Sequence, residues 1–208
     1  MNLLFKGIFM DSEINITKQK LKETLSEERY IHTIGVADTA FNLALNYDYD
    51  CKKAYFAGLM HDCAKYLKDE KLDIFLTKYH IKLTEIEIKC PTLIHSRMGA
   101  ILAEKEYGIK DREILNAIEY HTTGRPNMSL LEKIIFCADY IEPNRKEIPG
   151  LSDIRKTIYH NLDKAICMIY DGTLNYCRDK GFPIAEISVI SQNYYLQSLN
   201  TPKTLPKI

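Results

Sequence analysis

Apolar residues recur at three- and four-residue spacing along almost the whole chain, as they do in helices with one buried face. "TKQKLKETL" predicts a short first helix. In "EERYIHTIGVADTAFNLALNY" the residues Ile34, Ala37, Phe41 and Ala44 form an apolar stripe. "DCKKAYFAGLMHDCAKYL" follows with Asp50 as its N-cap, and "DEKLDIFLTKYH" continues the pattern. Thr84 with Glu87, and Ser129 with Glu132, have capping-box spacing, so helices are predicted to open there. "HSRMGAILAEKEYG" and "DREILNAIEYHTTG" end on Gly108 and Gly124, natural C-terminal stops. "LSDIRKTIYHN", "LDKAICMIYDGTLNYCRDKG" and "AEISVISQNYYLQSLN" complete the set, with no strand alternation and no repeat. The pattern predicts one all-α domain over residues 18–198. Residues 1–17 read as an N-terminal extension and 199–208, with two prolines, as a loose tail.

Composition changes this picture little. The 208 residues are 46% hydrophobic and 27% charged, enough apolar surface for a core and too ordered a mix for disorder. Lys plus Arg and Asp plus Glu number 28 each, so no net field steers the chain to nucleic acid or to an anionic membrane. An anionic substrate would have to be met by a local basic cluster. Six cysteines, none in a C-x-x-C pair, read as small hydrophobes in a reducing compartment. The N-terminus has no long apolar run and no small-residue cleavage site, and nothing reaches membrane-spanning length. The expectation is a soluble, cytoplasmic protein. The sequence does not set the oligomeric state, and a homodimer stays open.

The exception to the apolar pattern is "GLMHDCAKYL", where His61 and Asp62 interrupt an otherwise buried frame. Polar groups without partners are costly to bury. Other misfits follow the same rule: His32 in "RYIHT", His95 in "IHSRMGA", His121 in "AIEYHTTG" and Asp139 in "IIFCADYI". Imidazoles and carboxylates are the ligand set of first-row metals with N/O preference, and one centre would satisfy them together. Asp62 has two oxygens and could serve one metal or bridge two. His80 and His160 lie in polar stretches and receive no site role.

The ordered set His, His-Asp, His, His, Asp resembles the HD-domain phosphohydrolases. The phrases "ERYIHTIGVADTA", "GLMHDCAKYL", "LIHSRMGA", "EYHTTGRPNMSLLEKIIFCADYIEPNR" and "GFPIAE" resemble the YqeK-like family of bacterial HD proteins. That resemblance implies a compact HD-domain helical bundle. It also implies a metal-dependent hydrolase that cleaves diadenosine tetraphosphate symmetrically to two ADP, typically with iron. By motif, it implies His32, His61, Asp62 and Asp139 as metal ligands. His95 and His121 match positions that face the substrate phosphates or hold a second metal. Arg29, Lys65 and Arg145 match phosphate contacts, and His32 also lies on the substrate side.

The spacings suit this chemistry independently. Arg29 and His32 share a helix face, and Lys65 lies four residues from His61 and three from Asp62. A metal in such a cage activates water and polarises a phosphoryl oxygen. The basic residues would offset polyphosphate charge. Asp62, Lys65, His95 and His121 are thus the catalytic candidates, with His95 or His121, if not ligating, as proton donor to the leaving phosphate. "HTTGRPNMS" is a candidate pocket wall. Two other readings remain: an HD-type nucleotide phosphatase or guanosine-alarmone hydrolase with the same site, and a catalytically inactive nucleotide-binding regulator. The Gly-Tyr-Pro signature of the cyclic-dinucleotide branch is absent.

Overall fold

Eleven α-helices and no strand make up the described part of the chain. They are α1 (Leu3–Thr24), α2 (Glu27–Asn46), α3 (Cys51–Met60), α4 (Asp69–Lys78), α5 (Glu85–Lys89), α6 (Ile94–Glu106), α7 (Arg112–Tyr120), α8 (Leu130–Ile141), α9 (Leu151–Thr157), α10 (Leu162–Lys180) and α11 (Glu186–Asn200). The structure, a computed structural model, describes residues 3–200, with side chains from residue 12 onward. Most of the tail expected at 199–208 therefore lies outside the described residues. The fold is the expected all-α bundle.

Local chemistry sets most helix starts. Ser26 accepts from the Arg29 amide at the head of α2, and Asp50 from the Lys53 amide at the head of α3. Both predicted capping boxes form, at Thr84–Glu87 and Ser129–Glu132. Such caps are local in sequence, each satisfying amides that the first helical turn leaves unpaired.

Three expectations need correction. The first helix is not short: α1 runs back to Leu3, since Gly7 is the one breaker in that stretch and no proline interrupts it. The helix expected to run through "HDCAKYL" ends at Met60. Beyond it the backbone winds in tighter turns, with amide-to-carbonyl bonds from Cys63 to Met60, Lys65 to Asp62 and Leu67 to Ala64. Finally, Phe41 leaves the buried stripe of α2. That stripe is Thr33, Val36, Ala37, Ala40, Leu43 and Ala44. At roughly 100° per residue Phe41 points well to one side of it, into an open cleft against Ile14 of α1 and Tyr55 of α3.

The central element is the segment 56–64, buried at every position. It packs on α2, α7 and α8, while α7 also packs on α6. Gly58 sets how close α2 comes: a Cβ there would lie 2.9 Å from the Cα of Ala37. This small-residue crossing carries His32 and His61 towards each other. Among the described residues no helix is long and apolar enough to cross a membrane. Cys63, Cys137 and Cys167 are buried; Cys51, Cys90 and Cys177 are half-buried, and all six are free.

Candidate metal centre

Five elements converge on one point. α2 supplies His32, the turns after α3 supply His61 and Asp62, α6 supplies His95, the end of α7 supplies His121, and α8 supplies Asp139. All four histidines are oriented in the same way, by a bond at Nδ1. His61 Nδ1 donates to the Gly58 carbonyl at 2.6 Å, His95 to Thr92 at 2.6 Å, and His121 to Ile118 at 2.7 Å. His32 Nδ1 donates to Glu142 Oε1 at 3.3 Å. Carbonyls and carboxylates only accept, so the proton sits on Nδ1 and each Nε2 lone pair faces inward.

The inward atoms form two groups that share Asp62. On one side His32 Nε2 lies 3.1 Å from Asp139 Oδ1 and 3.3 Å from His61 Nε2, and Asp62 Oδ2 lies 3.5 Å from His61 Nε2. On the other side Asp62 Oδ1 is 3.2 Å from His95 Nε2 and 3.6 Å from His121 Nε2, and those two nitrogens are 3.0 Å apart. Neighbouring ligands around one ion, each about 2.0–2.2 Å from it, have separations of this size. The sets His32–His61–Asp139 and His61–Asp62–His121 each place one donor atom per residue within 4.8 Å of the others. Asp62 Oδ1 is buried and has no hydrogen-bond partner among the described residues. Acceptors facing acceptors in a buried site are unfavourable unless a cation lies between them. The donor set therefore fits one divalent metal, or two bridged by Asp62.

Ionisation agrees. Burial pushes His61 down to about 3 and also lowers His95, so both are neutral and ready to ligate. Burial opposes ionisation of Asp62 and Asp139, and positive charge placed among the imidazoles, whether a proton or a cation, overcomes it and holds both carboxyls far below the usual range. Burial also works against the charged form of His32, yet Asp139, Asp62 and Glu142 raise it above its ordinary value.

The basic residues ring the cluster. Arg29 Nη1 bonds Asp62 Oδ2 at 2.8 Å. Lys65 Nζ lies 3.6 Å from Asp62 Oδ1 and 3.1 Å from His95 Nε2, and burial lowers its amine. Arg145 bonds the Asp139 carbonyl at 2.7 Å and stacks on Tyr140. Every site residue expected from the sequence thus lies in or beside this cluster. His80 and His160 are exposed.

Two clefts open from the cluster. One, of about 810 Å³, starts at His121 and Asp139 and runs between Phe136 and Tyr140 of α8 and Tyr170 and Tyr176 of α10. The loop "HTTGRPNMS" forms part of its wall through Thr122, whose hydroxyl is 3.3 Å from His95 Nε2. Arg125 pins that loop with two bonds to the buried Glu132, and Tyr170 donates to the Thr123 carbonyl. The other cleft, about 680 Å³, lies beside His32 and Arg29.

Sequence reasoning missed Glu142 and Thr122. Glu142 is 2% exposed, bonds His32 through one oxygen and the Asn144 amide through the other, and leaves no room for a Cβ at Gly35. Glu142 follows Asp139 by three residues, but it caps the end of α8 and nothing in the sequence shows that it meets His32.

The HD domain family matches residues 29–144. A relative from Bacillus subtilis, "Bis(5'-nucleosyl)-tetraphosphatase, symmetrical", is 38% identical over 84% of this chain and 92% of its own. One of the same description from Halalkalibacterium halodurans is 42% identical over 86% of this chain and 94% of its own. A crystal structure from Clostridium acetobutylicum, described as a predicted HD superfamily hydrolase involved in NAD metabolism, is 45% identical. It covers 89% of this chain and 97% of its own, with a TM-score of 0.83.

Proposed function

The chain belongs to the HD domain family of hydrolases, and on that premise we propose that it cleaves diadenosine tetraphosphate symmetrically to two ADP. The reaction class is carried by one observation: four imidazole Nε2 atoms and two carboxylates converge, with Asp62 Oδ1 buried and without a hydrogen-bond partner among the described residues. The substrate is supported by the relatives named as symmetrical tetraphosphatases at 38–42% identity over most of their length.

His32, His61, Asp62 and Asp139 would hold the first metal, and His95 and His121, with Asp62 as bridge, a second. We take the metal to be iron, as the family resemblance implies, and mixed imidazole and carboxylate donors suit it. The metal centre supplies activation of water and polarisation of a phosphoryl oxygen. The remaining work falls to the chain. Arg29, tied to Asp62, and Arg145, tied to Asp139, present guanidinium groups to phosphate oxygens from two sides. Lys65 offsets charge on the leaving phosphate. His95 and His121 carry their protons on Nδ1, away from the centre, which favours ligation over proton donation. The apolar cleft between α8 and α10 takes one nucleoside, with Tyr140 and Tyr176 among the rings available to the base.

In the balanced reaction, water oxygen joins one of the two inner phosphorus atoms. The central anhydride bond at that phosphorus breaks, and the bridging oxygen departs with the other ADP. Metal-loaded protein incubated with diadenosine tetraphosphate tests this directly: ADP forms, chelation stops it, and added metal restores it. No ADP from metal-replete protein would overturn the proposal.

A further inference from the structure

The second cleft differs in chemistry from the first. The cleft between α8 and α10 is walled by Phe136, Tyr140, Tyr170 and Tyr176. The other, bounded by the start of α2 and the segment after α8, presents Arg29, Asn144, Arg145 and Lys146. Arg145 lines both, so it stands between them. Each reaches the cluster from its own side: one through His121 and Asp139, the other through His32. Both volumes fall in the range of sites that hold a single small ligand.

The polar cleft is built and not a loose rim. Glu142 joins its floor to His32 and to the Asn144 amide, and Arg155 bonds the carbonyls of Ile141 and Glu142 and the carboxylate of Glu147. Lys146 makes no ion pair or hydrogen bond among the described residues, which leaves its ammonium for an anion entering the cleft. Glu27 and Glu28 also line it, acceptors suited to ribose hydroxyls or a base amino group.

A substrate cut at its middle must lie on both sides of the cutting point. We propose that the polar cleft is a second nucleotide subsite that takes the departing nucleoside diphosphate, its phosphates on Arg29, Arg145 and Lys146, while the apolar cleft keeps the other half. This rests on the symmetrical hydrolase reading for its substrate, but the subsite can be tested without turnover. Equilibrium dialysis of ADP against the metal-loaded full chain should give two ADP bound per chain. Lys146→Glu, a change at an exposed position, should weaken one of the two about tenfold and leave the other unchanged. With diadenosine tetraphosphate the same variant should raise KM several-fold and change kcat by less than about twofold. One ADP per wild-type chain, or an equal effect of Lys146→Glu on both sites or on neither, would overturn the subsite. Absence of turnover by wild-type protein would instead strike the hydrolase reading, and the dialysis stoichiometry would still decide the subsite.

Discussion

Asp62 is the residue on which both halves of the cluster depend. Its Oδ2 faces His32, His61 and Arg29, and its Oδ1 faces His95, His121 and Lys65. Asp62→Asn keeps the shape and removes the charge. Metal analysis should find occupancy largely lost, and activity should fall by more than about a hundredfold. Lys65→Ala should behave differently, because an ammonium has no lone pair for a metal. It should keep full metal content and lose about a hundredfold in kcat; parallel loss of metal would place Lys65 among the supports of the centre. Glu142 acts one step further out. Glu142→Gln replaces a carboxylate that accepts from His32, and should lower metal affinity about tenfold while circular dichroism stays that of the wild type. Unchanged affinity would make Glu142 a loop anchor only. The chemistry of His61 and Asp62 is legible in the sequence as two polar residues in an apolar frame. Glu142 is not, since its role depends on contact with His32, 110 residues away.

At the scale of helices, the crossing of α2 and α3 decides whether the ligands can meet. Gly58→Ala would put a methyl 2.9 Å from the Ala37 backbone. Overpacking of this kind costs about 1–3 kcal/mol, to be read as a lower Tm together with weaker metal binding. The short α5 has a different anchor. Glu87 is buried, closes the capping box with Thr84 and takes two bonds from Arg97. Burial opposes its ionisation, but Arg97 and Thr84 prevail and its pKa falls below the ordinary value. A depressed carboxyl stabilises the fold above its unfolded pKa, about 4.3, and that contribution is lost as pH falls through the folded value. Glu87→Gln should therefore lower Tm clearly near pH 7, and its deficit should shrink below about pH 4. A deficit independent of pH would mean that the carboxylate charge is irrelevant. Caps such as this were readable because their partners lie three residues apart. The end of α3 was not, because the apolar pattern continues through Leu67 while the backbone changes its winding at His61. Phe41 was misplaced for a related reason: its spacing from Ala37 and Ala44 is helical, and only the position of α3 shows which face is buried.

At the scale of the molecule, the bundle brings residues from five separate elements to one point and leaves a cleft on either side. Fold class followed from periodicity alone. Asp139, far from the doublet in sequence, is legible as a carboxylate that interrupts the apolar run "IIFCADYI", but its role as a ligand beside His32 and His61 came from the family resemblance. Phosphate register is likewise invisible in a spacing, because it depends on where Arg29, Lys65 and Arg145 stand relative to the cluster. The decisive measurement is the product pattern of metal-loaded protein at an early time point, with diadenosine tetraphosphate in 18O-labelled water. A symmetrical hydrolase gives ADP as the only nucleotide product, with label in the terminal phosphate of one of the two ADP molecules formed per turnover. Equimolar AMP and ATP would contradict it.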